Sequence, residues 1–313
     1  MQAPSFKCLV TGGAGFIGSH VVDILVNKGY SVVVVDNLSN GDQKFINPQA
    51  KFYQQDITQE NLIDIFSAEQ PDYVFHLAAH VKLRESLENP ISDAATNILG
   101  TINVLECCRR ANVKKIIYTS TAARVGEPQY LPVDENHPIN PCSPYGISKH
   151  TAEHYVWLYN YLYQLDYLIL CFGNVYGPRD NPDSTRVTSV FIDHLLRDQA
   201  PTINGDGEQT RDFIFVLDLA DFLVDSLTKN PPHRLFHLAN GQEISINEIY
   251  QILVSLTGSQ LVAKHQPAIT GEVKKIVLDT SLAQQELGWH PQHTIQQGLQ
   301  ETLQWFESHY DFH

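Results

Sequence analysis

Residues 6–36 read FKCLVTGGAGFIGSHVVDILVNKGYSVVVVD, and this stretch decides the fold. Residues 6–11 are a short apolar run. Residues 11–18 (TGGAGFIG) are a glycine-rich turn that opens a helical pattern, and residues 31–36 (SVVVVD) are β-branched enough to predict a buried strand. Gly12, Gly15 and Gly18 fall where strand gives way to helix. Without side chains the backbone can turn tightly there and come close to phosphate groups. The helix start adds N–H groups and the positive end of a dipole. A glycine turn alone is a weak signal, but in this strand–turn–helix context it is a strong one.

The same alternation continues outward. Residues 51–54 and 73–77 read as strands with a helix over 59–68 between them. Apolar residues at helical spacing predict a helix from Asn89-Pro90 to about Asn112. KKIIYTS is the next strand, 143–164 a long helix, and DYLILCF (166–172) a further strand. Strands alternating with helices predict an α/β fold: a doubly wound parallel sheet with helices on both faces. After Gly173 the rhythm loosens, Pro, Gly, Asn and Asp thicken, and later elements look short and interrupted. We expect a nucleotide-binding domain over 1–173, its sheet completed by parts of 213–240. A smaller, mainly substrate-binding domain over 174–313 should share its cleft.

Composition limits the partners. With 21 Lys plus Arg against 35 Asp plus Glu the formal charge is −14, which argues against nucleic acid or an anionic membrane surface. At 43% hydrophobic and 18% charged residues the chain can bury a core. No apolar run approaches ~18 residues, so no membrane span is expected. The N-terminal MQAPSFKCLV has no apolar leader-like region. Five cysteines without C-x-x-C spacing suggest reduced thiols, hence a cytoplasmic location. The fourteen dispersed histidines suggest no metal site.

Four groups of residues carry chemistry. Asp36 ends the second strand, where a carboxylate can accept hydrogen bonds from an adenosine ribose and would repel a 2′-phosphate, favouring NAD over NADP. Asp56-Ile57 follows the third strand and could reach the adenine, although a plain turn would use the same residues. Tyr145 and Lys149 stand four apart at a helix start and so share a face. A phenol with pKa about 10 is a poor base at neutral pH, and a neighbouring ammonium lowers that value. Thr119-Ser120-Thr121 ends the fifth strand, at the edge where such sheets bind ligands, so a hydroxyl there can relay a proton.

The ordered set TGGAGFIGSH (11–20), DNLSNG (36–41), HLAA (76–79), TNILGT (96–101), SPYGISK (143–149), NVYGPR (174–179), GDGEQTRDF (205–213) and LGW (287–289) covers nearly the whole chain. It resembles the extended short-chain dehydrogenase/reductase family, and within it the UDP-glucose 4-epimerase-like nucleotide-sugar epimerases, which carry NAD on a Rossmann domain. The resemblance implies Tyr145 as base, Lys149 as its partner and Thr121 as hydroxyl relay. It implies NAD contacts at Gly12, Gly15, Phe16, Ile17, Gly18, Asp36, Asn37, Asp56, Ile57, Leu77, Ala78, Ala79, Asn97, Tyr145 and Lys149. Substrate contacts would fall to Ser86, Asn174, Arg211 and Glu272. It also implies a homodimer joined by helices near 90–110 and 146–163.

Thr121-Ala122-Ala123 lacks the acidic pair of the family's dehydratases and the nearby Glu of its decarboxylases, which favours epimerisation of a UDP-hexose or UDP-N-acetylhexosamine. Another nucleotide-sugar enzyme of the family (a 4,6-dehydratase, decarboxylase or net reductase) and a non-catalytic NAD(P)-binding sensor on the same scaffold are the competing readings. Three departures stand out. The family often reads Val-Tyr-Gly after the hydroxyl, where this chain has Arg124-Val125-Gly126. A second phosphate-binding Arg is usual where Ile269 aligns, and losing it costs ~1.5–3 kcal/mol unless Arg186, Lys274 or Lys275 substitutes. The gate beside the sugar, commonly Tyr, aligns near Ile276, leaving the preference at C2 open.

Overall fold

The computed structural model describes residues 6–181, 184–268 and 273–310. In chain order the first half runs β1 (Lys7–Thr11), α1 (Phe16–Asn27), β2 (Ser31–Asp36), β3 (Lys51–Gln54), α2 (Leu62–Glu69), β4 (Tyr73–His76), α3 (Leu83–Glu88), α4 (Pro90–Ala94), α5 (Thr101–Arg110), β5 (Lys115–Thr121), α6 (Pro144–Tyr163) and β6 (Asp166–Phe172). The rest runs β7 (Asn174–Tyr176), α7 (Val187–Leu196), β8 (Thr202–Asn204), β9 (Thr210–Arg211), β10 (Phe213–Phe215), α8 (Val216–Asp225), β11 (Leu235–Leu238), β12 (Ile244–Ser245), α9 (Ile246–Thr257), β13 (Lys264–Gln266), α10 (Ser281–Leu287) and α11 (Ile295–His309). Two compact units divide the described residues. One comprises those of Met1–Gly126, Ile139–Cys171 and Ala220–Phe236; the other those of Glu127–Pro138, Phe172–Leu219 and His237–His313.

The first unit is built on a seven-stranded sheet in the order β3-β2-β1-β4-β5-β6-β11. The pairs from β3 across to β5 are all parallel. The chain winds outward from β1 in both directions, so the β1–β4 boundary is a switch point whose carboxyl-end crevice takes ligands. Strands covered on both faces must be apolar throughout. Leu9, Val10, Val34, Val35, Val74, Phe75, Ile116 and Ile117 meet that demand, each at most 1% exposed.

The helix predicted over 89–112 is interrupted. After α4, residues 95–100 form one π-helical turn before α5 begins. Such turns arise where a helix must re-aim a side chain. Here Asn97 is turned into a buried polar cluster, and a Cβ on Gly100 would lie 2.7 Å from Cδ1 of Ile57, so the helix crosses that side chain closely.

The second unit is more regular than the sequence suggested. Three long helices, α7, α9 and α11, enclose a core of Tyr176, Phe191, Phe213, Phe215, Ile249, Leu253, Leu299 and Phe306. Helices α9 and α11 both open on reciprocal capping boxes, Ser245 with Glu248 and Thr294 with Gln297. Strand β10 pairs with β7 rather than with the large sheet, which β11 joins instead. Residues 127–138 belong to this unit: Val133 N–H donates to Val277 O, and Asp279 N–H to Val133 O, both at 2.8 Å. Among the described residues, no helix is long and apolar enough to cross a membrane.

Candidate functional site

The glycine turn closes tightly on the switch point. Gly12 has φ +73°, and its N–H donates to Val35 O at 2.8 Å. A Cβ there would lie 2.7 Å from the Ala78 nitrogen, so only glycine lets the turn lie against the segment leaving β4. Gly18 is as constrained: its Cβ would fall 2.1 Å from Gly12 O. Gly15 caps α1 with no side-chain bond, and the first turn has no acidic residue. The helix thus brings no carboxylate of its own to the positive end of its dipole. Phe16 and Ile17 follow in the same turn, half-buried.

The ends of β2 and β3 carry the carboxylates. Asp36 accepts from Ala14 N–H at 3.0 Å and Leu38 N–H at 2.8 Å. Burial pushes its carboxyl up, and those two bonds pull it back. Asn37 donates to Asp56 at 2.7 Å. Asp56 is net lowered: burial raises it, but bonds from the Thr58 hydroxyl and N–H and from Asn37 outweigh that. The Ile57 side chain is 5% exposed and belongs to the core.

Leu77, Ala78 and Ala79 are held from below. Leu77 N–H donates to Thr11 O at 3.1 Å, and Ala78 N–H to the Thr11 hydroxyl at 3.3 Å. Asn97 is 1% exposed, with its amide engaged by His80 N–H, His80 O, Asp93 and the Ser148 hydroxyl. Its side chain therefore clamps the segment after β4. Ser86, fully buried, accepts from Tyr145 N–H at 3.3 Å.

The three reaction candidates come from β5 and α6. Ser143 caps α6 by accepting from Gly146 N–H at 3.1 Å, and Pro144 occupies the first turn. Tyr145 follows, half-buried. Lys149, one turn on, is 3% exposed and lies 4.2 Å from the centre of the Tyr118 ring. Burial lowers its ammonium to about 8, with Glu153 pulling the other way. Thr121 ends β5, its hydroxyl accepting from Ala123 N–H at 3.2 Å. Gly146 brings the two elements together, since a Cβ there would lie 2.5 Å from Ala123 O.

In the second unit Asn174 starts β7, exposed, and its N–H donates to Asp212 O at 2.7 Å, next to Arg211 on β9. Arg211 Nη1 donates to Thr210 O at 2.8 Å. Glu272 and Ile269 lie outside the described residues. Of the cations that could replace an arginine at 269, Arg186 is engaged by buried Asp180 at 2.6 Å. Lys274 runs beside β9, its carbonyl accepting from Thr210 N–H at 2.9 Å. Ile276 is 8% exposed.

Several residues carry structural roles that the sequence alone did not assign. His76 is 1% exposed and bridges Thr11 (2.7 Å) and Thr101 (3.0 Å). Thr101 donates onward to Asn97 O, so it accepts from His76 Nε2–H, and Nδ1 accepts from Thr11. Glu153, Arg124 and Ser120 form a buried group beside the reaction candidates. Asp212 accepts N–H bonds from Asn240, Gly241 and Leu278, fixing the loop beside Arg211. Gly146 was visible in the motif, but its role depends on what it approaches.

A glycine turn of this kind at the switch point of a doubly wound sheet defines a nucleotide-binding protein. The model of the NAD dependent epimerase/dehydratase family matches residues 8–239, and the chain belongs to that family. It is similar to the UDP-glucose 4-epimerase of Mycolicibacterium smegmatis, 34% identical over 309 residues, covering 96% of this chain and 99% of that one. Among solved structures, a UDP-glucose 4-epimerase of Thermotoga maritima with UDP-glucose superposes with TM-score 0.94 at 38% identity, over 97% of this chain and 99% of that one. A UDP-glucose 4-epimerase of Thermus thermophilus in complex with NAD gives TM-score 0.91 at 32% identity, over 97% and 100%. The residues here fit that cofactor: a turn that only glycine can form, a helix with no acidic residue in its first turn, and a carboxylate at the end of β2.

Proposed function

We propose that this chain inverts C4 of a UDP-linked hexose through a transient 4-keto sugar, with no net oxidation. The observation that carries this is Lys149: a buried ammonium one helical turn from Tyr145, lowered to about 8 and therefore still a cation at neutral pH. Its field stabilises phenolate at Tyr145. Tyr145 takes the proton of the sugar 4-hydroxyl, with Thr121 as relay, and returns it at the end of the cycle. NAD, when bound, supplies the acceptor for the C4 hydride and its donor on return. Gly12, Gly15, Gly18 and the α1 start hold the pyrophosphate, while Asp36 holds the adenosine ribose and sets NAD over NADP. Leu77, Ala78 and Ala79 line the cofactor, backed by Asn97. Asn174 and Arg211 anchor the sugar nucleotide's diphosphate, with Lys274 in the charge role of the absent arginine. That anchor lets the keto sugar turn over between the two hydride steps.

Tyr145→Phe tests this directly. It should keep the fold and the cofactor and lose turnover about 10²–10⁴-fold; near-full turnover would reject the mechanism.

The active form we propose is a homodimer joined through α6 and the 90–110 segment. Trp157 is 51% exposed and Tyr161 67%, with their rings stacked 5.6 Å apart, and Leu99 is 62% exposed. Tyr161→Glu should yield monomers in light scattering. The location we propose is the cytoplasm, consistent with free thiols at Cys8, Cys107, Cys108, Cys142 and Cys171. The product would supply sugar transfer for polysaccharide assembly.

A further inference from the structure

Arg124 is a cation buried beside the reaction candidates. It closes the three-residue turn Ala122–Arg124 that follows Thr121 and is 5% exposed. Its Nε lies 3.3 Å from Oε2 of Glu153, and its Nη1 reaches the Cys171 thiol at 3.7 Å. Glu153 is 5% exposed and sits on α6, one turn beyond Lys149 and two beyond Tyr145. Its Oε1 accepts from the hydroxyl of Ser120, the residue before Thr121, and its Oε2 from His150 Nδ1 at 2.9 Å. One carboxylate on the helix of Tyr145 thus meets the chain on both sides of Thr121, by a hydrogen bond from Ser120 and by a charge contact with Arg124, whose Nε makes no hydrogen bond.

A buried ion pair is a weak source of stability, because desolvation offsets the attraction. An apolar residue would fill this place as well. The pair instead supplies fixed geometry and a local field. Resting on the function proposed above, we infer that Arg124 is a positioning residue: with Glu153 it fixes Thr121 against Tyr145 and sets the charge around Lys149.

Lys149 is faced by Glu153 from α6, Asp93 from α4, Cys171 from β6, the Tyr118 ring from β5 and His76 from β4. Removing the Arg124 cation beside this set raises the proton affinity of Tyr145 and Lys149 alike. Removing the Glu153 carboxylate lowers both.

The test is a charge cycle in the full-length enzyme with UDP-glucose: Arg124→Leu, Glu153→Gln, their combination, and Arg124→Lys. Arg124→Leu should lower kcat about 10- to 100-fold, leave KM within about twofold, and move both limbs of the pH–kcat profile to higher pH. Glu153→Gln should move them lower. The double variant and Arg124→Lys should bring them back. Unmoved limbs, shifts of the same sign, or a raised KM at unchanged kcat would overturn the inference. If a single variant fails to fold, the double variant decides: lowered kcat with wild-type limbs is expected, and wild-type kcat overturns. Tyr145→Phe separates the two levels. If it stays active, the proposed function falls. If it is inactive while the limbs ignore charge at 124 and 153, only the role of Arg124 falls.

Discussion

A Cβ on Gly146 would sit 2.5 Å from the carbonyl oxygen of Ala123. Helix α6 therefore meets the turn after Thr121 backbone to backbone, and any side chain at 146 would push Tyr145 away from the end of β5. Gly146→Ala should lower kcat about 100-fold with little change in bound cofactor. Steady-state kinetics beside a measurement of NAD content checks this.

Gly12 meets a harder limit, with φ +73° and Ala78 N only 2.7 Å from its missing Cβ. The left-handed backbone alone disfavours alanine by about 1–2 kcal/mol, and the clash adds to it. Gly12→Ala should melt lower and purify without NAD. A variant that keeps both its Tm and its cofactor would contradict this picture of the turn.

How much of this could be read in the sequence differs by region. Strand β2 falls on residues 31–36 as expected, because a run of β-branched residues has few other fates. Helix α6 starts at Pro144, where the sequence places a long helix over 143–164. The π-helical turn at 95–100 was not legible, since the apolar spacing of that stretch fits an uninterrupted helix equally well. Helices α9 and α11 are longer than the short, interrupted elements expected there, although Ser245-x-x-Glu248 and Thr294-x-x-Gln297 spell their caps. For the site, the motif residues were visible and their supports were not. Nothing local in the sequence says that Arg124 turns toward Glu153, or that Asn97 spends its amide on His80.

His76 predicts an acid limb of stability. Burial depresses its imidazole to about 3, against about 6.5 in the unfolded chain, with the Lys149 ammonium adding to the effect. The folded state takes up the proton last, so the associated stability is full above pH ~6.5 and is lost as pH falls toward 3. Between pH 7 and pH 5 this removes about 2 kcal/mol. Urea unfolding at the two pH values should show that loss in the wild type and a smaller one in His76→Asn.

Asp36 predicts cofactor choice. It accepts from Ala14 and Leu38, so its carboxylate shapes the turn beside the proposed ribose site. Asp36→Ala should weaken NAD binding about 10- to 100-fold and narrow the preference for NAD over NADP. Titration with both dinucleotides measures the ratio, and an unchanged ratio would remove Asp36 from that role.

The central claim is a redox-neutral inversion at C4. The direct measurement is proton NMR of purified protein incubated with UDP-glucose and no added cofactor. UDP-galactose should accumulate to equilibrium, with nucleotide-sugar mass unchanged and no NADH released. A product of altered mass, stoichiometric NADH, or no change at C4 in protein that retains NAD would contradict it.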